Sequence, residues 1–156
     1  MTPKTEGWTI VVVGHWNRAI LSPVWVANRI FNQPEIEALV SPMPMAPVVY
    51  RGPGVGIQVL RDRLVFFPRE LNDENLSATE RACCTVLTDL PHTPLTAIGV
   101  NFAFIERDPS EQLLALFNLS DVGSILQEGW QLRQRQFARR LHREESTLNV
   151  SLTLDE

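Results

Sequence analysis

Histidine is the side chain most often recruited for proton transfer near neutral pH, and the 156 residues hold three. His15 follows a β-branched run and His92 precedes another, so both belong to loops at strand ends, where a rigid scaffold commonly presents reactive groups. Asp89 is the nearest carboxylate to His92 along the chain, and Asn101 is an amide inside a strand-like run. Together they form a candidate catalytic set for a small hydrolase or transferase. No G-x-S-x-G elbow, His-x-x-x-His pair or Cys-x-x-Cys pair strengthens it. No metal and no cofactor are therefore expected. Loop histidines that face water and an amide satisfied by hydrogen bonds are the simpler expectation.

The adjacent Cys83 and Cys84 cannot staple distant segments. Helical spacing puts them in a second turn, away from the N-terminal dipole that would activate a thiol, so both are expected to be buried and inert. The glycine-rich Arg51–Gly56 stretch (RGPGVG) invites comparison with a phosphate loop. Such a loop needs a helix opening directly after the glycines. Here an apolar, β-rich run follows, which makes the stretch a hairpin loop.

Charge is distributed unevenly. Between Gly129 and Arg143 lie five arginines and no acid, leaving nine basic and eighteen acidic residues elsewhere, so a segment of +5 sits against a remainder of −9. Arg133, Arg135, Arg139, Arg140 and Arg143, with Phe137 and His142 among them, form a candidate binding segment. Guanidinium and aromatic groups in this mixture suit phosphate neutralisation and base stacking on nucleic acid. They suit equally the pairing of arginine with carboxylates of the same chain or of a second copy, which the acidic remainder favours.

The elements that must carry these residues are legible from periodicity and punctuation. Trp8–Gly14 (WTIVVVG) is a buried strand. Ser22-Pro23 supplies a cap and a first-turn proline for a short helix over Pro23–Phe31, although Val24, Trp25, Val26, Ile30 and Phe31 would suit a strand as well. Three prolines within Ser41–Pro47 make an extended connector. Val48–Arg51, Val55–Leu60 and Leu64–Phe67, separated by turn residues, predict an antiparallel meander. Ser77 and Glu80 form a capping box that starts a helix whose stripe is Cys83, Val86, Leu87 and Leu90. Thr96–Ile105 alternates Ile98, Val100, Phe102 and Phe104 against Ala97, Gly99, Asn101 and Ala103, the pattern of a central strand with its large face in the core. Asp108–Glu111 caps a helix to about Phe117, with Leu113, Leu114 and Phe117 turned inward. Leu148, Val150, Leu152 and Leu154 alternate in a half-exposed strand. The preceding arginine segment pairs with it as a hairpin across Glu144–Ser146, or forms a helical face with Trp130, Phe137, Ala138 and Leu141.

The expected fold is α+β: a mainly antiparallel sheet built from hairpins, with two or three helices packed mostly on one face. A single globular domain over 1–156 fits the length. Ordinary hydropathy, with 44% apolar and 21% charged residues, excludes intrinsic disorder. The absence of an export signal or membrane-length apolar window points to the cytoplasm, with no membrane partner. Four tryptophans, three of them in the first 25 residues, are expected mostly in the core, with any exposed one joining Met43 and Met45 in an adaptable patch. With no reaction legible, the leading expectation is a non-enzymatic binding or assembly module, partnered by itself or by another protein. The histidine-based enzyme and the nucleic-acid binder are the alternatives.

Overall fold

The computed structural model describes residues 1–40, 46–118 and 131–155. They fall into two compact units, Met1–Ile105 and Glu106–Glu156, and the fold is α+β with an antiparallel main sheet.

In the first unit the strands are β1 (Thr2–Pro3), β2 (Thr9–Gly14), β3 (Glu37–Val40), β4 (Val48–Arg51), β5 (Val55–Val59), β6 (Arg63–Pro68), β7 (Leu95–Asn101) and β8 (Phe104–Ile105). The main sheet has the order β3-β4-β5-β6-β2-β7, with every neighbouring pair antiparallel. The meander β3 to β6 follows the hairpin pattern. Strand β2, from early in the chain, then lies between β6 and β7, which are joined by the long helix α2 (Asp73–Asp89). β6 and β7 both oppose β2 and so run parallel to each other, making a split β-α-β unit within an antiparallel ladder.

The core lies between one face of this sheet and the helices. Ile57, Leu64, Phe66 and Val12 face Ala82, Cys83 and Val86 of α2, together with Val26 and Phe31. The segment after β2 is helical over Pro23–Phe31: α1 (Pro23–Trp25) continues as a π-helical turn, Val26–Phe31. Ser22 Oγ accepts from Trp25 N–H, and Asn32 ends the segment in the left-handed conformation. Burial of Val26, Ala27 and Phe31 decides between helix and strand.

Three expectations need correction. Helix α2 begins four residues before the Ser77–Glu80 box, at Asp73. The cap is Asn72, whose Oδ1 accepts from Asn75 N–H at 2.8 Å, so the box lies inside the helix, where Ser77 caps nothing. Second, β7 is an edge strand. Its Ile98 and Val100 do share the helix-side face, opposite Val12 and Ile10, but α2 packs over β5, β6 and β2 and leaves them in the open. Alternation specified the face of the sheet; it could not specify how far the helical layer reaches. Third, Cys84 is exposed while Cys83 is buried.

In the second unit, α3 (Glu111–Ala115) is capped by Ser110 Oγ, and Phe117 is buried just beyond it, whereas Leu114 is exposed. β9 (Gln134–Arg143) and β10 (Ser146–Asp155) form a two-stranded antiparallel ribbon. The hairpin alternative for the arginine segment is the observed one. Met43, Met45 and Trp130 lie outside the described residues, as does most of the proline connector. Among the described residues, no helix is long and apolar enough to cross a membrane.

Candidate interaction site at the free sheet edge

β7 is seven residues long and pairs only with β2, so among the described residues its outer edge has no partner strand. From Leu95 to Ile105 the sequence carries no charge. Ile98 is 55% exposed, Val100 56%, Phe102 60% and Phe104 51%. Strand edges of this kind are normally blunted by charge, proline or short length. The opposite edge shows such blunting: β3 has four residues, and its Glu37 pairs with Arg51 at 3.5 Å.

The aromatic end of the strip is held in place by the chain itself. The Ala103 carbonyl accepts from Lys4 N–H at 2.9 Å and from the Trp8 indole N–H at 3.0 Å. The Ala103 methyl lies against Gly7, where a side chain would collide with it. With Ala103 turned inward, Phe102 and Phe104 are turned outward, and Trp8 meets both edge-on at 4.8 and 5.7 Å between centroids. The expected continuous strand is thus interrupted after Asn101 and resumes as β8, paired with β1.

The helix-free face of the sheet presents Val11, Val13, Val49, Val65 and Phe67, all half-buried. A recess of about 530 Å³ opens there, lined by Thr9, Arg51, Gln58, Phe67 and Arg69 with the Thr5–Glu6 turn. Phe67 lies across Gly56, where any side chain would strike its ring. Asn101 Nδ2 donates to Thr9 Oγ1 at 2.9 Å on this face; it is an exposed, satisfied amide rather than a buried one.

The candidate catalytic residues are only partly brought together. His15 N–H donates to the Pro94 carbonyl at 3.0 Å, so the His15 and His92 loops meet at one end of β7, and both side chains are exposed. Asp89 is engaged elsewhere: its two oxygens accept from Arg29 at 2.9 and 3.1 Å. Asn101 pairs across from Thr9, six residues beyond Leu95, which places it roughly 20 Å from the histidine end. Among the described residues, no three His, Cys, Asp or Glu side chains are grouped to hold a metal ion. Burial pushes the Cys83 thiol up to about 11, with the neighbouring Cys84 adding to the shift.

The arginines are divided between the faces of the ribbon. Arg135, Arg139 and Arg143 share one face with Phe137 and Leu141, while Arg140 is on the other. Arg139 stacks over Phe137 at 4.7 Å, and Arg140 donates to Asn149 Oδ1 at 3.0 Å. Arg135 donates to the Phe117 carbonyl, and Arg133 is exposed ahead of the strand.

The strip on β7 and β8 is the feature that sequence reasoning missed. Its signal was present, since eleven residues without a charge, flanked by Pro94 and Glu106, mark an apolar segment. A core strand leaves the same signal. The chain matches no family model, and no curated protein or solved structure matches it either.

Proposed function

We propose that the protein is a non-enzymatic binding and assembly module whose working surface is the outer edge of β7 with its strip of Ile98, Val100, Phe102 and Phe104. The observation that carries the reading is an uncharged seven-residue edge strand, unpaired among the described residues, beside four large apolar side chains more than half exposed. Such an edge accepts an added strand: main-chain hydrogen bonds supply affinity, and alternate side chains supply specificity. Removing the four side chains from water contributes on the order of 25 cal/mol per Å² buried.

Amide hydrogen exchange along Leu95–Asn101 tests this reading, measured over a range of protein concentrations and with a panel of extended, alternating apolar peptides. Alternate amides, those pointing away from β2, are expected to be slowed either by a neighbour already present or by an added peptide. Exchange as fast as in a loop under every condition would rule out the edge as a strand acceptor.

A further inference from the structure

We propose that the occupant of the β7 edge is a second copy of this chain, paired antiparallel about a two-fold axis at Gly99, so that two six-stranded sheets join into one. The proposal rests on the reading of β7 as a contact surface and adds the identity of the partner.

Gly99 is the first reason. Glycine in a strand interior weakens it and often marks the close approach of another backbone. Other glycines of the sheet answer to their own chain: a side chain at Gly56 would strike the Phe67 ring, and one at Gly14 would strike the Pro94 carbonyl. At Gly99 an added Cβ meets nothing within 4 Å. Nothing in its own fold requires a glycine there; on the two-fold axis the two copies of this position face each other closely, where glycine keeps the crossing clear and a pair of cysteines fits as a disulfide.

Charge and symmetry supply the second. A strand paired with itself takes any charge it carries out of water unless its mirrored position supplies the counter-charge, and Leu95–Ile105 carries no charge. A two-fold axis perpendicular to the sheet keeps opposed residues on the same face. With the axis at Gly99, Ile98 faces Val100 of the other copy, and Ala97 faces its Asn101. Both helical layers then lie on one side, and the two apolar strips merge between them. The bulge that leaves Thr96 unpaired between Gly14–Leu95 and Val13–Ala97 lies outside this central run.

Area supplies the third. Leu95, Ile98, Val100, Phe102, Phe104 and Ile105 are each 44–60% exposed, and their complete burial would remove at most on the order of 600 Å² per copy, about 1,200 Å² for two, the lower bound of stable interfaces. Pairing β7 with the other edge would instead build an open filament, and the short, charged β3 disfavours it.

The test uses the full chain. Sedimentation over a concentration series is expected to show a dimer, and Val100→Lys to weaken it about a hundredfold or more by setting unpaired charges in the interface. Val100 is exposed within one copy, so the circular dichroism of the variant should match the parent's, and the two melting temperatures should converge at dilutions where the parent dissociates. In a Cys84→Ser background, Gly99→Cys should form a disulfide-linked dimer under mild oxidation. Ala97→Cys should not, because its two copies lie four residues out of register, about 13 Å apart and beyond disulfide reach. Folded Val100→Lys that still dimerises with the parent's affinity overturns the proposal, as does Gly99→Cys that fails to cross-link. A chain that remains monomeric while peptides still protect β7 amides overturns the self-pairing and leaves the strand-acceptor reading standing.

Discussion

The Tyr50 hydroxyl is buried and donates to the Leu21 carbonyl at 2.8 Å, tying the loop after β2 to the centre of the meander. Tyr50→Phe removes the donor and leaves the carbonyl without it, so urea unfolding should show a loss of about 1–2 kcal/mol. The two cysteines should differ in behaviour. Cys84 is exposed and should react with a thiol reagent at pH 8 in the native protein, whereas Cys83 should react only after unfolding. The Cys83 thiol is raised from 9.0 to about 11 by burial. Its contribution to stability is therefore complete below about pH 9 and is lost as the pH rises through 11, because the unfolded thiol ionises first. Denaturation midpoints measured between pH 8 and 11 should fall less steeply for Cys83→Ala than for the parent. At this scale the sequence was partly informative: the helical stripe identified Cys83 as buried, but Cys84, one residue and some 100° further round, was misplaced beside it.

Among the elements, α2 separates a sequence motif from the structure that overrides it. Asn72→Ala should destabilise the protein by about 1 kcal/mol, and Ser77→Ala should leave it nearly unchanged. The reverse ranking would restore the capping box as the helix start. Ser-x-x-Glu matched the motif, but the chain had already entered the helix at Asp73 and Glu74, whose charges favour the N-terminal dipole. In the ribbon, Glu144 adopts a left-handed conformation at φ 52°. Glu144→Gly should relieve this and slow amide exchange in β9 and β10, corresponding to about 1 kcal/mol. The ribbon and meander were readable because period-two alternation and turn residues act locally. The rank of β7 in the sheet was not, since it depends on which strands the preceding helix α2 comes to rest upon, and alternating residues look the same beneath a helix or beside a second chain.

For the molecule as a whole, the α+β class followed from strands clustered around inserted helices, and the structure shows it. The order of strands did not follow, because placing β2 between β6 and β7 is a long-range pairing that no local spacing records. The core depends on that placement: Phe66 is fully buried, with Ile57 and Ile10 as its two cross-strand neighbours. Phe66→Ala should cost about 3–5 kcal/mol in a denaturant titration and abolish cooperative unfolding of the first unit if its reserve is ordinary. The central position of β2 has one more consequence. During synthesis this strand leaves the ribosome ahead of both its partners, which are encoded far downstream, at Arg63–Pro68 and Leu95–Asn101. The nascent chain must hold the apolar WTIVVVG segment unpaired until Arg63–Pro68 emerges, about fifty residues later, and half-paired until Leu95–Asn101 follows, so the sheet closes late and β7 joins last.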